Sequence, residues 1–343
     1  MRAAFGTTFD VEGVYLNTPS IGVPPRPVVD AVAASVAAWG RAETAPAGFD
    51  EAVASARRSY AALVGMPETA VASGTVVSAL VALVAGALPA RSRVLVAERE
   101  FTSVTFPFAA AGHEVVEVPV AALPEQARGA DVVAVSVVAS ADGALVDLAA
   151  LRAAVGPETL VVLDATQCLG WLPADVSWAD AVVAAGYKWL LSPRGAAWMA
   201  VSDRLAARLV PAQAGWYAGG WDAIYGLPLR LHDDARRFDL SPAWLAQVGA
   251  AIALPWLAGL DAGVVHDHAV GLANRLRAGL GMPPGDSAIV SVRREGAAER
   301  LAAAGIRAAA RDGAARLGFH LHNTADDADA ALEALSGGAA AAR

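Results

Sequence analysis

The stretch Thr159-Leu160-Val161-Val162-Leu163-Asp164-Ala165-Thr166-Gln167 decides the fold, because four apolar residues run straight into a carboxylate and then into small and polar residues. A short apolar run ended by turn residues reads as a strand buried on both faces. Ala181-Val182-Val183-Ala184-Ala185 repeats the form and ends at Gly186-Tyr187-Lys188-Trp189. Working outward, runs at 93–97, 114–118 and 131–138 are of the same kind. Ala- and Leu-rich stretches with helical spacing lie among them, which is the alternation of parallel strands with crossover helices. The fold class is therefore α/β, with a mainly parallel central sheet flanked by helices. Helices are predicted over 27–39, 49–63, 76–88 and 148–154, the first with Pro27 in its opening turn. After about Ser241 the pattern changes. Helices over 244–257 and 264–280, a strand at 288–292, and helices at 296–303 and 328–335 predict a smaller C-terminal α+β domain. The expected division is a large α/β domain over 16–245 and a small domain over 246–343 that takes in the N-terminal arm, 1–15. The terminal Gly-Gly-Ala run is expected to fray.

The 343 residues suffice for a large core. Hydrophobic residues make up 56% and mean hydropathy is +0.44, so membrane spans have to be weighed. Segments 69–90 and 240–260 lack charged residues, but each is interrupted by Gly, Pro and polar side chains, and neither is flanked by a basic cluster. No membrane association is expected. The first fifteen residues contain no apolar run of the secretory kind, which makes a cytoplasmic location the default. A single cysteine, Cys168, excludes intrachain disulfides and cysteine-based zinc sites. A net charge of −8 without a Lys/Arg block argues against nucleic acid.

Asp164 and Lys188 both follow strands, so both are expected at the C-terminal sheet edge, where open α/β folds bind ligands. Taken singly they read as a helix cap and a surface lysine. Together they are what pyridoxal 5'-phosphate (PLP) chemistry requires: an amine to hold the aldehyde, and an anion to keep the pyridine nitrogen protonated. Ala72-Ser73-Gly74-Thr75 opens an apolar helix from Val76 and offers free backbone N–H groups to a phosphate. Phe101, after the strand at 94–97, is placed to stack on a planar ring.

These residues carry a family resemblance. Asp164-Ala165-Thr166-Gln167, Tyr187-Lys188-Trp189-Leu190-Leu191 and Pro193-x-Gly195 resemble the motifs of the class V aminotransferases. These are fold-type I PLP-dependent enzymes whose relatives include isopenicillin N epimerase-like proteins, kynureninases and cysteine desulfurases. The likeness extends from Tyr15-Leu16-Asn17-Thr18 to His322-Asn323-Thr324. It implies that Lys188 carries the cofactor as a Schiff base, that Asp164 pairs with the pyridinium, and that Gln167 bonds the ring hydroxyl oxygen. It further implies that Gly74, Thr75 and Tyr187 contact the phosphate and that Phe101 takes the ring-stacking position. Ser241 would reach the phosphate of a partner subunit, making the active unit a homodimer. Asn17 and Ser140 fall on the substrate side, and either Arg316 or Arg311 would bind an amino-acid carboxylate. Of the two, the strand-like context of Arg316 favours it.

The resemblance implies an enzyme acting at Cα of an amino acid through an external aldimine, with transamination the first expectation. A β-eliminating C–S lyase or an epimerase is the alternative, and a non-catalytic binding protein on the same fold is the reading of another class. The carboxyl-terminal segment lacks the mobile cysteine of desulfurases, so persulfide-forming desulfuration is not expected. No metal is expected either, although His266/His268 and His320/His322 have pair-like spacing. The second pair reads as one strand face. The aromatic segment Trp216-Tyr217-Ala218-Gly219-Gly220-Trp221 reads either as a lid over the cleft or as packing between domains.

Overall fold

The structure, a computed structural model, describes residues 1–336. The chain starts with a hairpin of β1 (Arg2–Ala4) and β2 (Thr7–Phe9), followed by α1 (Arg26–Gly40) and α2 (Asp50–Val64). Then come β3 (Val71–Gly74), α3 (Val77–Ala85), β4 (Arg93–Ala97), α4 (Thr102–Ala110) and β5 (Glu114–Val118). A short α5 (Leu123–Gln126) leads to β6 (Val132–Ser136), α6 (Leu148–Ala154), β7 (Leu160–Asp164), β8 (Ala181–Ala185) and β9 (Ala197–Val201).

These strands form a seven-stranded sheet in the order β3-β9-β8-β7-β6-β4-β5, in which only β9 runs against its neighbours. Alternate residues of each strand enter two separate cores. Val161, Leu163, Val182 and Ala184 pack with α2 and α8 (Trp244–Ala258), whereas Leu160, Val162, Ala181 and Val183 pack with α3 and α4. Burial on both faces explains why β6 to β9 carry almost no polar residue, whereas β5 at the sheet edge keeps Glu114 and Glu117 exposed.

After the four-residue α7 (Asp203–Ala206) and then α8 come α9 (Ala262–Gly279), β10 (Ile289–Val292), α10 (Ala297–Ala303), β11 (Ala309–Arg311), β12 (Ala314–Gly318) and α11 (Ala325–Ser336). The last three strands form an antiparallel sheet in the order β10-β12-β11. Their core contains Leu276, Val290, Leu317, Phe319 and Leu335, joined by Leu16 from the N-terminal side. Taken together, this is the fold-type I architecture of PLP-dependent enzymes, with a large mostly parallel sheet and a smaller C-terminal sheet.

Several elements differ from the sequence expectation. Residues 71–74 are an edge strand and not the lead-in to a helix, so α3 begins at Val77. β9, β11 and β12 come from Ala-rich sequence without a strand-like pattern, and α4 forms although it is rich in β-branched residues and contains Pro107. The expected boundary at 245/246 runs ahead of α8, yet α8 packs against α1 and α2; the hand-over between cores falls within α9, where Val265 and Ala269 belong to the large core and Ala273 and Leu276 to the small one. Residues 69–90 divide into strand, turn and a nine-residue helix. Among the described residues no single helix is long and apolar enough to cross a membrane, and the pair α8 and α9 is bent by 95°. The terminal Gly-Gly-Ala run lies outside the described residues.

Candidate active site

β7 and β8 are adjacent and parallel, so Asp164 and the segment after Ala185 leave the sheet at one edge. That segment turns back at once: Gly186 N donates to Ala196 O at 2.9 Å, Ser192 N to Gly186 O at 3.0 Å, and Leu191 N to Lys188 O at 3.2 Å. Gly22 closes the loop from outside, its N–H donating to Tyr187 O at 2.9 Å. A Cβ on Gly22 would stand 2.0 Å from Lys188 O, so only glycine permits this approach.

Lys188 is 6% exposed, and its neighbours are aromatic faces: Nζ lies 5.1 Å from the Phe101 centroid and 5.8 Å from that of Tyr187. Burial lowers its amine to about 8; Asp164 opposes that shift, while Arg316, Arg311 and Arg194 add to it. Asp164 is buried and accepts from Thr166 N–H at 2.8 Å. Desolvation raises its carboxyl above the usual range, against the pull of that hydrogen bond and of Lys188. A buried anion and a buried amine with a depressed pKa at one sheet edge are the two groups the sequence placed there.

Gln167 is fully engaged. Its Oε1 accepts from Trp189 Nε1 at 2.7 Å, and its Nε2 donates to Pro19 O at 3.0 Å and Ser140 Oγ at 3.1 Å. A cofactor oxygen would have to share or replace the Ser140 contact. Arg316, 1% exposed on β12, reaches the same serine: Nη1 bonds Ser140 O and, at 3.2 Å, Ser140 Oγ, while Nη2 donates to Ser20 Oγ at 2.7 Å. Its Nε is buried without a partner, as is Asn17 Oδ1, which stands beside Gly318 at the end of the same strand. Arg316 remains a cation near neutrality, although burial and then Arg311 lower it to about 10. Arg311 itself is exposed. Gln167, Ser140, Arg316 and Asn17 are thus brought together.

The phosphate-side candidates lie at the β3–α3 junction. Gly74 ends β3, Thr75 follows, and no side chain caps α3, so its first-turn N–H groups are free for an anion. Phe101 immediately precedes α4 and is 43% exposed. Ser241 is exposed at the surface, where its Oγ accepts from Trp216 Nε1 at 3.2 Å.

Other residues hold these in place, a role the sequence did not assign to them. Glu100 accepts from Ser136 N at 2.7 Å and Ser136 Oγ at 2.6 Å, fastening the Phe101 loop to the end of β6. The buried pair Arg57–Asp239 fixes β3: Asp239 accepts from Arg57 Nη2 at 2.5 Å and from Ser73 N at 2.7 Å, and Arg57 also bonds Val71 O. His320 is fully buried, with Nε2 2.9 Å from Trp189 O, and so braces the residue after Lys188 from the small domain.

The histidine spacing has other uses than metal binding. His320 and His322 follow β12 in a turn rather than on a strand face; His322 Nε2 lies 3.2 Å from Tyr15 O, His266 stacks on Trp171, and His268 meets Phe5 edge-on. Of the aromatic segment, Tyr217 and Trp221 bond Asp50 at 3.1 and 2.8 Å. They border a cavity of about 470 Å³ together with Arg57, His232 and Asp239, and Lys188 does not line it.

The residues around Lys188 fit PLP on three counts: a buried amine facing an aromatic ring, a buried carboxylate at the adjacent strand end, and an uncapped helix start for the phosphate. Comparison with known proteins agrees. The aminotransferase YcbU of Bacillus subtilis, whose own function is uncharacterised, is 30% identical over 195 residues, which is 52% of this chain and 51% of YcbU; the chain thus aligns with about half the length of this curated relative. Among solved structures, the cysteine desulfurase CsdA of Escherichia coli superposes with a TM-score of 0.78 at 20% identity, covering 97% of each chain. A C-DES variant with glycine covalently linked to its PLP cofactor gives 0.84 at 17% identity over 95% of this chain and 96% of its own. The cysteine desulfurase of Thermococcus onnurineus NA1 gives 0.81 at 17% identity over 94% of each. These similarities carry the fold. The family model Aminotransferase class-V matches residues 23–298, and the chain belongs to that family.

Proposed function

We propose that this chain is a PLP-dependent enzyme acting at Cα of an amino-acid substrate, with transamination as its reaction. The observation that carries the reading is the convergence of the buried Lys188 amine and the Asp164 carboxylate at one sheet edge, with Arg316 Nε unpartnered on the neighbouring small sheet. Bound there, PLP supplies an electron sink that lets a Cα–H bond break at neutral pH. Lys188 Nζ would hold the cofactor and is the base that would take the Cα proton. Asp164 would keep the proton on the ring nitrogen. Phe101 would cover the ring, Gly74, Thr75 and Tyr187 would hold the phosphate, and Gln167, whose Oε1 is held by Trp189, would bond the ring oxygen. Arg316 binds the α-carboxylate, with Asn17 and Ser140 beside it.

Desulfuration through a cysteine persulfide does not form part of this reading. The only cysteine, Cys168, is fully buried with its thiol pushed up by desolvation, and β11 and β12 are joined by the two-residue turn Asp312-Gly313, which leaves no length for a mobile loop. The reading includes a homodimer, to which Ser241 and the exposed Tyr225 and Leu227 would contribute.

Purified protein loaded with PLP is expected to show a visible absorption band that Lys188→Ala lacks. Incubation with an amino-acid panel is expected to give keto acid. A protein that takes up no PLP would overturn the reading, and ammonia with pyruvate as the sole products would replace transamination by β-elimination.

A further inference from the structure

The β11–β12 hairpin sets a second guanidinium beside Arg316. Directly opposed residues of an antiparallel pair share a face, as do residues two apart on one strand. Ala309 pairs with Arg316 and Arg311 with Ala314, so these four residues lie on one face of the small sheet. That face looks into the cleft, because Arg316 reaches Ser140 and Ser20 from it. Arg311 is thus the diagonal neighbour of Arg316, about 7–8 Å away at the backbone, and the remaining positions, Ala309 and Ala314, carry only methyl groups.

Among the described residues the face lacks a free counter-charge. Asp312, the carboxylate of the turn, is taken by Arg293 at 2.8 Å and by Arg99, and the Arg99 pair draws the Phe101 loop against the hairpin. Arg311 bonds only the carbonyl of Ala310, at 2.8 Å, and enters no ion pair among the described residues. Ser291 pairs with Arg316 across β10, shares its face, and has a buried Oγ without a partner. The face therefore offers two unpartnered buried polar atoms, Arg316 Nε and Ser291 Oγ, and an uncommitted guanidinium at its outer end. The field of Arg311 reaches both Arg316 and Lys188, lowering each.

Resting on the proposed reaction, we infer that the substrate is an amino acid with a second anionic group on a short side chain, of the aspartate or glutamate class. Arg316 takes the α-carboxylate and Arg311 takes the side-chain anion. Planar guanidinium groups suit both carboxylates.

The test uses the PLP-loaded enzyme with L-glutamate against L-glutamine and L-aspartate against L-asparagine. It reads binding from the change in the visible band, Cα deuterium exchange, and the heat of binding of glutarate against butyrate. The acids are expected to bind at least about tenfold more tightly than their amides, a difference of about 1.4 kcal/mol. Arg311→Gln is expected to bring the ratio of acid to amide binding down towards one, and Arg311→Lys to restore part of it. Equal binding of acid and amide by the unmodified enzyme, or equal weakening of both in Arg311→Gln, overturns the inference. Cα exchange confined to uncharged amino acids overturns it while the proposed function stands. Exchange with no amino acid at all, in a protein lacking the Lys188-dependent band, overturns both.

Discussion

Lys188 shows how far a single residue can be read. That a lysine follows an apolar run is visible in the chain; that its amine is held near 8 follows from burial, which Asp164 only partly offsets. Only the neutral amine attacks an aldehyde. Below about pH 8 most of it is protonated, so uptake of PLP by the apoprotein is expected to quicken about tenfold per pH unit from 6 towards 8 and then level off. Stopped-flow absorbance measures this, and a rate independent of pH would contradict the assignment. Asp164→Asn removes the anion that supports the ammonium form, so its midpoint is expected to move to lower pH. Asp164 was equally legible, since it ends a strand in the sequence. Glu100, Asp239 and His320 were not, because their meaning lies in partners 36, 182 and 131 residues away.

Among the elements, the connection from β8 to β9 matters most, because its hairpin-like closure holds Lys188 at the sheet edge. Gly22 is its outer stop. In Gly22→Ala the new methyl meets Lys188 O and the side chain of Leu191, neither of which can easily yield. The expected cost is about 1–3 kcal/mol of stability, as for other overpacked sites, with weaker PLP binding on top. Gly271→Ala is the control, since that glycine lies in α9 with nothing near its Cβ position; there the helix should gain up to about 1 kcal/mol. Melting temperature and PLP affinity of the two variants decide the matter, and equal behaviour would show that the close approach does not position the lysine. Strands β4, β6, β7 and β8 were visible as Val- and Ala-rich runs because both their faces are buried, and β5, half-exposed at the sheet edge, by its valines alone. β3 is short and ends in Ser73-Gly74, while β9, β11 and β12 draw on Ala-rich sequence that local pattern cannot tell from helix.

At the scale of the molecule, His320 and His322 tie the small domain to the large domain and the N-terminal side. Burial lowers them to about 3 and about 4, so both stay neutral in the fold. In the unfolded chain they would take protons near pH 6.5. Their contribution is therefore complete above about pH 6.5 and is lost as pH falls towards 4 and 3, on the order of 2 kcal/mol per histidine between pH 7 and 5. His322→Phe, which keeps an aromatic ring beside Phe9 and Tyr15, is expected to lose about 2 kcal/mol less than the parent over that interval. Denaturant titrations at the two pH values test this, and identical losses would contradict it. By itself the sequence determined the α/β class, the five parallel strands β4 to β8, and the Asp164–Lys188 pair, because apolar strand runs and strand-end residues leave a local pattern. Only the tertiary structure decided that β3 and β9 complete the sheet, that Arg316 rather than Arg311 is buried against Ser140, and that both arginines share one face. Register, burial and ion pairing are set by contacts between distant segments, and no local pattern records them.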